Sequence, residues 1–396
     1  MFNEVSLHYS HLTVFFYIAL GILAMFCFYK SKKSEKSIEI KRSFPNRYLL
    51  IWWFVWVFFA VFRLVIPGIG GSDAHSYINF FQNCNSATMT SWYEHVGADL
   101  GFKWLTKICR YISSDYKFYF LIIYGFMAYA YIKFVNKFAS KKTIFAPFLL
   151  TFFLYLRSYS SIRSNMAIAL IALGCICIIK KDWKYAYLLG FLAVLFHKSA
   201  FIYAACIPFC HFFNKRTLSV KTALTLVTGS ALIGRTLQAL FLHYATTTDL
   251  KGSYAYYAST SIGVSFFDNA WKIAFEQLAL ALMMLLTHKK IGKDHSEQEQ
   301  LRLKIIWMLC IFDFMIIPIN FIIGSWRGYE YFYLARIVMW GECFYQTTKR
   351  MSIHTKQIYS FILIAIFIAW MAFRINATWL DTCLSPYIFE PLGLIL

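Results

Sequence analysis

The chain has 396 residues, of which 59% are hydrophobic, 20% aromatic and only 15% charged, with a formal net charge of +20. A chain this long and this apolar is excluded as a soluble globule and reads as an all-α polytopic integral membrane protein. The positive charge does not indicate nucleic acid, because the basic residues fall in short loops between apolar runs and not on one soluble face.

The first ten residues hold no Lys or Arg, so the opening apolar run is expected to be a retained span and not a secretory signal. Crossing a hydrocarbon core takes roughly 20 residues. Apolar runs at 11–29, 48–66, 116–132, 143–156, 164–179, 185–196, 200–213, 222–243, 270–287, 305–323, 331–348 and 357–375 predict about 12 transmembrane helices. The runs at 143, 185 and 200 are short and read as spans extended into their flanks or as half-spans, so 10 or 11 full spans also fit. With both termini outside, 25 of the 39 Lys and Arg fall in the alternate inner loops and eight in the opposite ones, as the positive-inside rule requires. No internal repeat, linker or low-complexity segment divides the chain, which predicts a single transmembrane domain over 1–396.

Outer segment 67–115 opens with PGIGGSDAHSYINFF. Asp73, in its glycine-rich turn, reads either as a carboxylate that accepts a proton from a sugar hydroxyl or as the N-cap of the helix that follows. Further on, Phe102, Leu105, Ile108, Cys109 and Ile112 recur at helical spacing among Lys103, Lys107 and Arg110, predicting an amphipathic helix on the membrane surface. Asp73, His75, His95 and Asp99 match no metal-ligand spacing, so no metal is expected. Segment 244–269, rich in Ala, Ser, Thr and Tyr, is expected to cover a site together with 67–115, and 376–396 to pack back on the bundle as an irregular tail. Seven cysteines lie in apolar runs as small hydrophobes, while Cys84, Cys109 and Cys383 lie where a disulfide is chemically permitted.

Arg157, Arg163, His197, Lys198, Arg327 and Arg336 are predicted at or just below the outer surface, against the positive-inside rule. Two readings stand: headgroup-layer cations, or a cradle for one anionic ligand, for which arginine's planar fork suits phosphate. Ala167, Leu170 and Gly174 share the face of Arg163, so a neighbouring helix can come close and turn that arginine inward. Arg63, Arg235, Glu276, Asp313, Glu342 and Arg374 lie within spans and should pair in the interior, Arg235 with Asp313 being one combination; Pro318 predicts a kink beyond Asp313.

GSDAHSY with Asp73 and Tyr77, SSIRSNMAIAL with Arg163 ending in Lys-Lys, FHKSA with His197 and Lys198, and RGYEYF with Arg327 and Tyr331 together resemble the EpsG-type, Wzy-like polysaccharide polymerases over about residues 60 to 345. Two departures stand out: Ser164 replaces a frequent Gln, and Ala98-Asp99 replaces a Glu-Pro, so a role for that Glu would fall to Asp99 or Glu94. The resemblance implies a GT-C-like membrane glycosyltransferase, metal-independent and without cofactor. Such an enzyme joins oligosaccharide repeat units on undecaprenyl pyrophosphate into O-antigen, capsule or exopolysaccharide at the outer face of the bacterial plasma membrane. Asp73, Arg163 and His197 are then the catalytic candidates, and Arg157, Lys198, Tyr77, Arg327, Tyr331 and Arg336 the substrate-binding ones. Its partners would be lipid-linked donor and acceptor, membrane lipids and a chain-length regulator. The rivals are a flippase or transporter of the same lipid-linked sugar, and another membrane transferase such as an O-antigen ligase or an acyltransferase.

Overall fold

The computed structural model describes residues 10–35, 46–85, 99–213, 219–247, 271–288, 297–323, 330–349, 351–377 and 383–395. These residues form α1 (His11–Glu35), α2 (Arg47–Val61), α3 (Ala74–Asn83), α4 (Leu100–Ile112), α5 (Tyr116–Phe138), α6 (Ala146–Leu150), α7 (Ile162–Ile179) and α8 (Trp183–Phe196). There follow α9 (Ala200–Ala204), α10 (Cys206–Phe213), α11 (Val220–Thr247), α12 (Trp271–Thr287), α13 (Glu297–Ile323), α14 (Tyr333–Thr348), α15 (Ile353–Ala377) and an antiparallel ribbon of β1 (Ile388–Phe389) and β2 (Leu394–Ile395).

The helix starts follow side-chain chemistry. Ser10 Oγ accepts the Thr13 N–H at 3.3 Å, Asn46 Oδ1 that of Tyr48 at 3.0 Å, and Asp115 Oδ1 that of Lys117 at 2.8 Å, each satisfying an amide the first helical turn leaves over. Among the described residues three helices, His11–Ser34, Tyr116–Phe138 and Ile162–Ile179, are long and apolar enough to cross a membrane. Large apolar side chains also face outward, Phe15, Phe54, Phe191 and Phe361 among them, which water would penalise and lipid does not. The protein is therefore an all-α membrane protein.

The short runs take particular forms. Run 143–156 becomes α6, a π turn over Thr151–Tyr155 and a 3-10 turn over Leu156–Tyr159. Run 200–213 breaks between α9 and α10, and α8 has 14 residues. The α7–α8 hairpin closes tightly because a Cβ on Gly174 would already touch the Ala186 carbonyl at 3.4 Å. α13 is one helix from Glu297 to Ile323 and includes Pro318.

The amphipathic helix is present as α4, but its stripe is split. Phe102, Thr106 and Cys109 are buried, whereas Leu100, Trp104, Ile108, Tyr111 and Ile112 are exposed. One face docks on the bundle and the other stays apolar and outward, so Ile108 and Ile112 do not share the face of Phe102. All ten cysteines are free thiols, including Cys84, Cys109 and Cys383.

The tail over 383–395 does pack back on the bundle. Tyr17 donates to the Leu384 carbonyl at 2.6 Å, and the Tyr387 N–H to Thr13 Oγ1 at 2.9 Å. The amides of Gly70 and Gly71 both donate to the Cys383 carbonyl, at 2.9 and 3.1 Å. Arg63, 1% exposed, holds the same loop from beneath by donating to the Gly70 carbonyl at 2.7 Å, to the Ala60 carbonyl and to the Tyr124 hydroxyl at 2.7 Å. Its guanidinium lies 4.2 Å from the Tyr159 ring centroid, where the π face replaces part of its lost hydration.

Candidate functional site

The loop carrying Asp73 is fixed by two glycines. Gly71 has φ +115°, and a Cβ there would fall 2.3 Å from the Tyr159 carbonyl oxygen, so only glycine lets the loop lie on the segment ahead of α7. The Ser72 N–H donates to Ser160 Oγ at 3.3 Å. Asp73 stands at the N-cap position of α3, yet its side chain makes no cap hydrogen bond. Together with Tyr77 and Asp99 it is one of the groups that act electrostatically on Arg163. Tyr77 is buried against Phe102 of α4, with ring centroids 5.4 Å apart.

Asp99 joins three elements. It occupies the N-cap position of α4 with an extended backbone but makes no side-chain cap bond. Its Oδ2 instead meets Arg163 Nη1 at 3.3 Å, and its Oδ1 accepts the Lys198 backbone N–H at 2.9 Å. The approach needs Gly101, since a Cβ there would come within 3.1 Å of the Leu195 carbonyl at the end of α8. Asp99 is 3% exposed, and burial pushes its carboxyl above the usual aspartate range, opposed by the Lys198 amide and by the Arg163 and Lys198 charges. His197 ends α8, its Nδ1 is 3.2 Å from Ser199 Oγ, and its carbonyl accepts the Ala200 amide at 2.8 Å, which makes HKSA a tight turn.

Arg157 Nε contacts Glu330 Oε1 at 2.6 Å, with the carboxylate fully buried. Tyr331 stacks on Tyr203 with centroids 3.9 Å apart and lies within electrostatic reach of Ser199, Glu330 and Asp99. Asp73, Tyr77, Arg163, His197 and Lys198 are thus brought together, with Arg157 and Tyr331 joined to them through Glu330 and Ser199. Arg336 is engaged elsewhere: it is fully buried and contacts Asp313 at 3.1 Å and Glu276 at 3.8 Å. Asp313 also accepts from Gln277 Nε2 at 3.0 Å, so its partner in the described structure is Arg336, whereas the Arg235 side chain lies outside the described residues. Arg327, Glu94, His95 and most of segment 244–269 likewise lie outside the described residues.

Neither reading of the outer cations included pairing within the protein, yet Arg157, Arg163 and Arg336 each meet a protein carboxylate. Glu330 is the residue that sequence reasoning left without a role; a carboxylate amid the aromatics of RGYEYF was the available signal. Among the described residues no group of three or more His, Cys, Asp or Glu is gathered as a metal site.

At this end of the bundle Arg163 offers a part-exposed guanidinium, Asp73 a half-buried carboxylate, His197 a half-buried imidazole and Lys198 an exposed ammonium. Such a set can bind an anion, stabilise negative charge on a leaving oxygen and accept a proton. A family model described as the EpsG family matches residues 46–389, which takes in every residue of the cluster. No curated protein and no solved structure matches the chain.

Proposed function

Because the chain belongs to the EpsG family, and so is a membrane protein of polysaccharide biosynthesis, we propose that it is a glycosyltransferase of GT-C-like architecture that polymerises oligosaccharide repeat units. The observation that carries this reading is the convergence of Arg163, Asp99 and Lys198, which unites the ends of two helical hairpins with the loop that holds Asp73. In this reading donor and acceptor are lipid-pyrophosphate-linked and the site opens to the outside of a bacterial plasma membrane, an orientation that the loop charges support.

In this reading a hydroxyl of the acceptor unit attacks the anomeric carbon of the donor chain. The bond from that carbon to the pyrophosphate oxygen breaks, and the lipid pyrophosphate leaves. Arg163 and Lys198 stabilise the charge that develops on the departing oxygen, and the half-buried Asp73 accepts the hydroxyl proton. Asp99 touches neither reactant and positions Arg163 and the HKSA turn. His197, beside Lys198 in the HKSA turn, binds the pyrophosphate or a sugar hydroxyl in this reading.

Glycan profiles of cells carrying Arg163→Ala or His197→Ala test this. The expected result is a single surface repeat unit in place of a ladder of polymer lengths. An unchanged ladder overturns the assignment of these residues, and complete loss of surface units in a deletion strain overturns the reaction in favour of lipid-linked sugar transport.

A further inference from the structure

α1 begins beside the tail that binds Gly70 and Gly71 and carries Lys32 in its last turn, whose Nζ donates to the Asn136 carbonyl at 2.5 Å near the end of α5. Lys32 lines the first of two neighbouring cavities, at the opposite end of the bundle from Asp99, and α1 contributes to both. One is polar, about 170 Å³, and Lys32, Lys141, Arg302, Glu299 and Glu342 are its charged lining. The other is apolar, about 400 Å³, and takes Ile18, Ile22 and Met25 from α1, Phe148, and Gly341 and Phe344 from α14. The same three pieces of chain, α1, the stretch after α5 and α14, wall both cavities. Thr143 lines the polar cavity and packs on Gly341, where a Cβ would stand 2.8 Å from the Thr143 Cβ, so the divide is one side chain thick.

Charge and length define what fits. Three cations against two carboxylates leave the polar cavity with one positive charge, the complement of a single phosphodiester. Arg302 Nε is buried there without a hydrogen-bond partner among the described residues, and a buried N–H left unmade costs about 1–3 kcal/mol. Ile18 and Lys32 lie on one face of α1, and 14 residues at a 1.5 Å rise separate them by about 21 Å. Half of a bilayer about 40–45 Å thick including its headgroups has the same extent. A free phosphate would use the polar cavity alone, whereas a lipid uses both.

We propose that the two cavities form one site for an anionic phospholipid of the leaflet at this end. Its phosphodiester lies between Arg302, Lys141 and Lys32, and an acyl chain runs past Gly341 against Ile22 and Met25. Basic pockets between helices on the positively charged side of a membrane protein are suited to such headgroups. The site shares no residue with the Asp99 cluster, so it stands or falls apart from the polymerase reading.

The test is native mass spectrometry of the full-length protein in mild detergent, with phosphatidylglycerol or phosphatidylcholine of identical chains added. Phosphatidylglycerol adducts should persist at about tenfold lower lipid concentration, and the Lys141→Gln, Arg302→Gln protein should lose that preference. Lys141→Gln alone lies on a connecting segment and should lose part of it, which keeps the test available should the double variant not fold. Ile22→Trp, which fills the apolar cavity, should weaken retention, and Arg163→Ala should leave it unchanged. Equal retention of the two lipids, an unaltered preference in the lysine and arginine variants, or displacement of the lipid by glycerol phosphate at equal concentration overturns the proposal.

Discussion

Asp99 stands where an aspartate ordinarily caps a helix, and its side chain makes no cap bond. Both oxygens are instead used across the fold, on Arg163 and on the Lys198 amide. Burial holds its carboxyl above the usual range, so Asp99 takes up a proton at a higher pH than an exposed aspartate. Once protonated it no longer holds Arg163 by charge, so polymerisation should fall as the pH falls through that raised value. Stability has the opposite sign: a carboxyl whose pKa is raised by folding favours the folded state as the pH falls through the window above its unfolded value. The acidic loss of activity is thus not unfolding caused by this residue. Asp99→Asn should lower the polymerisation rate by about 10²-fold, the cost of misplacing a catalytic group, and should move the acidic limb expected of the parent protein to lower pH, leaving only the loss caused by protonating Asp73. A variant whose acidic limb stays at the parental pH, measured as polymer formed by membranes across a pH series, would refute the positioning role.

At the level of the element, the turn Pro67–Asp73 owes its place to Gly71. Alanine there meets two penalties: a φ of +115° that side chains avoid, and a Cβ 2.3 Å from the Tyr159 carbonyl oxygen. Backbone strain of this kind costs about 1–3 kcal/mol, and the clash cannot be relieved by rotating a side chain, because the obstructing atom belongs to the main chain. Gly71→Ala should therefore lower the melting temperature and shorten or erase the polymer ladder while the protein still inserts. Gly393→Ala serves as the control, for Gly393 also has positive φ (62°) but open space where a Cβ would stand. Equal melting temperatures and equal ladders for the two variants would show that the loop has room to move. The turn itself was legible in the sequence as PGIGGSD. That Gly71 lies against Tyr159 was not, because a contact 88 residues away leaves no local pattern. α4 shows the same limit from the other side: helical periodicity placed the helix, while the face that docks was decided by Phe102, Thr106 and Cys109 meeting the bundle.

The whole molecule depends on partners distant in sequence. The apolar runs, the HKSA turn and the arginine-led helix were readable because each is a local pattern of hydropathy or charge. The pairings Arg163–Asp99, Arg157–Glu330 and Arg336–Asp313 were not readable, since a cation in the sequence carries no mark of which carboxylate the fold brings to it. The tail is the extreme case: residues 383–395 look like an irregular end, yet they complete the loop beneath the candidate site. The Cys383 carbonyl accepts two amides, from Gly70 and Gly71, and the Leu64 N–H donates to the Ile388 carbonyl at 2.9 Å. Removing residues 383–396 strips these acceptors at once, and each buried group left unpaired costs about 1–3 kcal/mol. α1 loses two further contacts in the same truncation, those of Tyr17 and Thr13. The truncated protein should still enter the membrane, because its apolar helices are unchanged, but should melt at a lower temperature and form no polymer. Adding back Cys383→Ser in the full chain should restore both properties, since the contact to Gly70 and Gly71 is made by the main chain. A truncated protein that melts with the parent and gives a full ladder would separate the tail from the site.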